Sequence, residues 1–102
     1  MSAYLNPADL PPVLEIEITA DDIAHGDKTE CQTCPAARAL CRAYPLRQPM
    51  WWSVLGPYVH LHYGNGIGLK WHPEAALTDW VNRFDAGKPV TPGKFTLTEA
   101  VA

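Results

Sequence analysis

The chain has 102 residues, 47% of them hydrophobic, and a formal net charge of −3, which suits one compact domain with a single modest core. With no basic stripe or tail it is not a protein that draws its affinity mainly from phosphate neutralisation, and it is too mildly acidic for an acidic tail or a DNA mimic. No apolar run approaches the roughly 20 residues that cross a bilayer, the amino terminus lacks the layout of a secretory signal, and an odd cysteine count argues against a disulfide framework, so a cytoplasmic protein with reduced thiols is expected.

Residues 1–12, punctuated by Pro7, Pro11 and Pro12, predict an irregular arm. Val13 to Ile18 alternates, with Leu14, Ile16 and Ile18 on one side and Glu15 and Glu17 on the other, as a half-buried strand requires. Thr19 then caps a short helix, and Asp22 stands where a capping box needs a carboxylate. Gly26, in the left-handed conformation, is expected to end this helix, and Ile23 ties it to the core. Pro35 opens a second helix just after Cys34. Ala36, Ala37, Leu40, Cys41 and Tyr44 form its apolar stripe, Arg38 and Arg42 lie opposite, and Pro45 stops it.

Between Met50 and His72 the pattern is a three-stranded β-meander whose register can be deduced. A two-residue Gly56–Pro57 turn sets Val54 against Val59, Trp52 against Leu61 and Met50 against Tyr63. In the next hairpin a two-residue Asn65–Gly66 turn would set Leu61 against Lys70. A three-residue loop, Gly64–Asn65–Gly66 with Gly66 left-handed, instead pairs Tyr63 with Ile67, Leu61 with Leu69 and Val59 with Trp71. A one-residue slip inverts every side chain, so the loop that keeps the apolar residues on one face is expected.

Pro73 predicts the start of the longest helix, running to Ala86 with Gly87 as its stop. Leu77, Trp80, Val81 and Phe84 recur at i, i+3, i+4 and i+7, which lays this helix across the apolar face of the meander. A loop from Gly87 to Lys94 leads to a last short strand, Phe95 to Thr98. The expectation is a two-layer α+β domain over 13–98. Its mainly antiparallel sheet has a central meander (about 50–72) packed by the helix 73–86, and a tail follows at 99–102.

Three groups of residues could carry chemistry. Cys31 and Cys34 form a CxxC pair, and with Cys41 and His25 nearby they resemble the makings of a Cys3His zinc site. If 35–43 is one helix, however, Cys34 and Cys41 stand about 10 Å apart along it, too far for thiolates that must each reach one zinc at about 2.3 Å. Cys41 also belongs to the apolar stripe, where a thiol acts as a small hydrophobe. A redox role has local logic, since the helix N-terminus favours a thiolate, although the polar run Asp27 to Glu30 stands where redox enzymes place a buried strand. A structural role for both thiols, with Cys34 capping the helix, is the plain alternative.

His60 and His62 form the second group, because alternate residues of a strand point the same way and two imidazoles can share a metal. His72 lies diagonal to His60 but far from His62, and no carboxylate completes a ligand set. The third group is the whole polar face of the meander: Trp51, Tyr58, His60, His62, Lys70 and His72. Aromatic, mildly basic platforms stack bases, and aromatic residues equally anchor protein interfaces. Scarce Arg and Lys favour protein contact. No GxSxG, no phosphate-cradling loop and no paired carboxylates mark a catalytic centre.

The stretches from Ile18 to Gly26, Cys31 to Leu40 and Arg83 to Phe95 together resemble a family of small uncharacterised proteins encoded by phages and prophages of actinobacteria. The resemblance covers roughly residues 13–98, is weakest in the meander, and does not include Cys41. It implies a small accessory product acting in the host bacterial cytoplasm, where such proteins often bind and redirect a host component. It carries over no catalytic residue and no cofactor. The resulting expectation is a non-enzymatic module that binds a host or phage protein, or a second copy of itself, through the Trp51 face. Two alternatives stand beside it: a nucleic-acid-contacting regulator that adds Arg38, Arg42 and Arg47 to that face, and a thiol- or zinc-dependent protein centred on Cys31 and Cys34.

Overall fold

The computed structural model describes residues 9–55, 58–63 and 67–100. Its elements run β1 (Val13–Ile18), α1 (Ala20–His25), α2 (Pro35–Ala43), β2 (Trp51–Leu55), β3 (Tyr58–His62), β4 (Ile67–Pro73), α3 (Ala75–Asp85) and β5 (Gly93–Glu99). The five strands form one antiparallel sheet in the order β1-β5-β4-β3-β2, an α+β architecture. The expected register holds through most of the meander: Val54 faces Val59, Trp52 faces Leu61, Leu61 faces Leu69 and Val59 faces Trp71. The Gly56–Pro57 turn, the Gly64–Asn65–Gly66 loop and residues 1–8 of the expected arm lie outside the described residues.

Alternation sorts the sheet into two faces. Leu14, Ile16, Ile18, Trp52, Val54, Val59, Leu61, Trp71 and Leu97 are buried on the inner face and join Leu77, Trp80, Val81 and Phe84 of α3 in one core. The Trp52 and Trp71 rings meet at 5.4 Å near its centre. The α3 helix packs on β4 and β5, while α2 packs on both β1 and β2. Those two strands are the opposite edges of the sheet, so one helix can touch both only because the sheet curls into a half-barrel.

The segment around α2 also reaches both edges. Tyr44 Oη accepts from Glu15 N at 3.0 Å and donates to Glu15 O at 3.3 Å, and Arg42 donates to Glu17 O at 2.6 Å, all on β1. On β2, Val54 N donates to Cys31 O at 2.8 Å, and Trp52 Nε1 donates to Tyr44 O at 2.9 Å. The β1 groups Glu15 N, Glu15 O and Glu17 O and the β2 donor Val54 N are thereby withheld from a foreign strand.

Several local expectations are corrected. Gly26 is extended (φ −76°, ψ 150°), not left-handed. Its missing side chain instead makes room, since a Cβ there would stand 2.6 Å from Pro35 Cδ and 2.7 Å from Asp22 O. Pro73 ends β4 opposite Leu97, and α3 starts two residues later behind Glu74, because Glu74 is tied to β5 through Thr96 N–H···Oε2 at 2.7 Å. The last strand is longer than expected and bridges β1 to β4. By contrast, the Thr19/Asp22 capping box is present in full, and Gly87 takes the left-handed conformation (φ 77°) after α3.

Candidate functional site

The outward-pointing side chains of β2, β3 and β4 assemble into a continuous layer of rings. Trp51 and His62, cross-strand partners, stack with centroids 3.7 Å apart and planes 1° from parallel. Tyr58 stacks on His60 at 6.0 Å and meets His72 at 4.8 Å, while the Lys70 ammonium sits 4.7 Å from the Tyr58 centroid. His60 and His62 meet edge-on at 5.9 Å. Every residue expected on this face is therefore on it. Trp51, Tyr58, His60 and His62 are half-buried, and Lys70 and His72 are exposed.

One further member was not expected, and one residue lost its expected place. Ser53 is fully buried beneath the layer, its Oγ 3.0 Å from His62 Nε2; that contact orients the imidazole stacked on Trp51. Tyr63 was expected on the apolar face opposite Ile67. The register shifts after Leu61, so that His62 pairs with Ile67, and Tyr63 is 40% exposed. A Cβ on Gly68 would run into the Tyr63 ring. The ring therefore packs over the Gly68 backbone at the register shift. A glycine inside a strand marks such a close approach, and Gly68 was the available signal.

Charge separates this region from the rest of the chain. No Asp or Glu occurs between Glu30 and Glu74, so the meander's outer face carries no carboxylate. Burial, followed by the positive potential of His62 and Lys70, holds the His60 imidazole below its ordinary value. His60 Nδ1 has no access to solvent and no hydrogen-bond partner among the described residues.

Two of the three arginines expected to extend this surface, Arg38 and Arg42, are elsewhere. Asp22 is completely buried, and Arg42 grips it with two bonds, Nη1 to Oδ1 at 2.7 Å and Nη2 to Oδ2 at 2.9 Å. Arg38 Nε lies 3.5 Å from Asp22 Oδ1, and its Nη2 donates to Asp21 at 3.2 Å. Both arginines belong to the α1/α2 side. Burial by itself would raise the Asp22 pKa, but the hydrogen bonds from Arg42 and Thr19 and the charge of Arg42 outweigh it and lower the carboxyl below 3.8.

The three cysteines separate into two places. Cys41, expected in the buried stripe of α2, is exposed. The buried side of the helix is Pro35, Ala36, Ala37, Ala39 and Leu40, because Arg38 and Arg42 turn the neighbouring surface toward Asp22, and Cys41 stands beside Arg38 one turn on. Cys41 and His25 line a groove over α1 and α2, whereas Cys31 and Cys34 line a different cavity against Val54, Val81 and Asp85. Cys34 caps α2, its Sγ accepting from Ala37 N at 3.4 Å. Burial raises the Cys34 thiol pKa despite the Ala37 and Ala36 amides, so it is not the preformed thiolate that a helix N-terminus alone would favour. Among the described residues no three His, Cys, Asp or Glu side chains converge on one point in a way that could hold a metal, and no helix is long and apolar enough to cross a membrane.

Comparison with known proteins returns no match, whether to a family model, to a curated protein or to a solved structure.

Proposed function

We propose that this chain is a protein-binding module, of the small accessory kind implied by its resemblance to actinobacterial phage proteins, which takes a segment of a host or phage protein on the outer face of the meander. The observation that carries this reading is the half-open ring layer of Trp51, Tyr58, His60, His62 and His72, built on a rigid ladder and free of carboxylates. Large, stiff aromatic side chains provide contact area at low entropic cost and dominate interface energetics. The occupied edge groups of β1, with Val54 N on β2, favour recognition by a face over strand addition. Lys70, on a face without carboxylates, favours a partner segment that carries carboxylates among its apolar groups.

The nucleic-acid alternative loses support because Arg38 and Arg42, which it needs beside the rings, are committed to Asp21 and Asp22. With those two arginines committed elsewhere, the face keeps fewer cations for an affinity that depends on several phosphate contacts. The reading assigns no catalytic residue.

The test is quantitative affinity capture from an actinobacterial host with the wild type, Trp51→Ala, Lys70→Glu and Arg38→Ala, with sedimentation of the wild type alone. Face binding requires that the first two variants lose a specific partner and that Arg38→Ala retains it. Retention by all three variants would refute it. Self-association abolished by Trp51→Ala would identify the partner as a second copy, and capture that collapses with nuclease or moderate salt would favour nucleic acid.

A further inference from the structure

Apart from the ring face, the cavity that brings together chemistry-bearing groups not yet given a role is the one at the start of α2. It has a volume of about 240 Å³ and is lined by Thr29, Glu30, Cys31, Cys34, Val54, Val81 and Asp85. We propose that Cys31 and Cys34 are a redox-active dithiol: Cys31 exchanges with a low-molecular-weight disulfide, and Cys34 resolves the adduct into an intramolecular disulfide.

The backbone places the two thiols correctly. Glu30 O accepts from both Thr33 N at 3.3 Å and Cys34 N at 3.0 Å, so residues 30–34 make one helical turn. In such a turn the Cα atoms of residues i and i+3 are about 5 Å apart, inside the roughly 4.4–6.8 Å that a disulfide spans. The turn is fastened at both ends, by Val54 N to Cys31 O at 2.8 Å and by Thr29 N to Asp85 Oδ1 at 2.9 Å.

Thr29 also holds a left-handed backbone (φ 60°), which a β-branched residue rarely adopts. Backbone strain of this kind is concentrated at functional sites, and here it lines the same cavity as both sulfurs.

Exposure assigns the roles. Cys31 is half-buried and open to a small reagent, whereas Cys34 is 3% exposed and can meet only a sulfur delivered beside it. In the first step the Cys31 thiolate attacks one sulfur of the external disulfide. That S–S bond breaks, a mixed disulfide forms on Cys31, and the first small thiolate leaves and takes a proton from water. In the second step the Cys34 thiolate attacks Cys31 Sγ and expels the second small thiol. Two protein thiols are oxidised, and one small disulfide is reduced to two thiols. The high pKa of the buried Cys34 thiol fits the second role, in which proximity replaces thiolate abundance.

Cys41 supplies an internal control, since it is exposed and lines a separate groove. The native protein is incubated with glutathione disulfide, quenched in acid, alkylated and analysed by peptide mass spectrometry. The expected products are a glutathione adduct on Cys41 and, on the peptide holding Cys31 and Cys34, the loss of two hydrogens with no adduct. In Cys34→Ser, whose hydroxyl can still cap α2, the adduct on Cys31 should persist. A wild-type protein in which Cys41 reacts while Cys31 stays alkylatable, keeps its adduct or pairs with Cys41 would overturn the proposal.

Discussion

Replacing Asp22 with alanine should be among the most damaging single changes outside the apolar core. The side chain has no solvent exposure and makes three kinds of contact: the paired bonds from Arg42, the bond from Thr19 N at 2.9 Å, and the approach of Arg38 Nε at 3.5 Å. Removing one partner of a fully buried ion pair costs about 3–5 kcal/mol. The Arg42 side chain is 50% exposed, so water relieves part of that loss, while breaking the capping box adds about 1 kcal/mol. The net expectation is about 2–4 kcal/mol, or roughly 10–20 °C in Tm for a domain of this size.

The pH dependence has a definite sign. The folded-state carboxyl pKa is lowered, so its stabilisation is fully present above the unfolded-state pKa and is lost as pH falls through the folded value. Urea unfolding followed by circular dichroism at neutral pH and at successively lower pH reads both effects. If Asp22→Ala stayed within about 0.5 kcal/mol of wild type, ordinary for an uninvolved surface site, or if Asp22→Ala and Arg42→Ala proved additive in a double-mutant cycle, the assignment of Asp22 as the hub of the α1/α2 side would fail.

Thr29→Asn should stabilise the fold by about 1 kcal/mol, because asparagine tolerates the left-handed conformation that threonine resists; thermal unfolding measures it, and a loss of stability would contradict it. Gly26→Ala should destabilise by about 1–3 kcal/mol through overpacking against Pro35 and Asp22 O, although its φ of −76° suits alanine. The imidazole of His60 should titrate below 6.5 in the folded protein. Its unfolded form therefore binds more protons, and stability falls as pH drops from above 6.5 toward the folded pKa; imidazole-selective NMR follows this directly.

The parts of this fold that were legible in the sequence obey a local period. Alternation in β1 and the opposition of Leu61 to Leu69 follow from a two-residue repeat, and Thr19 with Asp22 follows from helix-start chemistry. The ring face was legible for the same reason, as the complement of the apolar set.

What escaped depends on tertiary neighbours. Arg42 meets Asp22 from a different helix, 20 positions along the chain, and no periodicity records that encounter. The same encounter exposes Cys41 by deciding which side of α2 is buried. Tyr63 lost its expected place opposite Ile67 through a register shift at the end of β3, and strict alternation has no means of anticipating one. What requires glycine at position 26 is a close approach, not a torsion.

The claim on which the functional reading rests is that the meander's outer layer, Trp51 with its stacked His62 and Tyr58 with Lys70, His60 and His72, is the surface a partner covers. Amide and imidazole NMR spectra of labelled protein, recorded during addition of the purified partner, address it directly. The account predicts that the perturbed signals cluster at residues 51, 58, 60, 62, 70 and 72, with α1 and the α2 arginines unmoved. Perturbations centred on Asp21, Arg38 and Arg42, with the Trp51 indole unchanged, would contradict it.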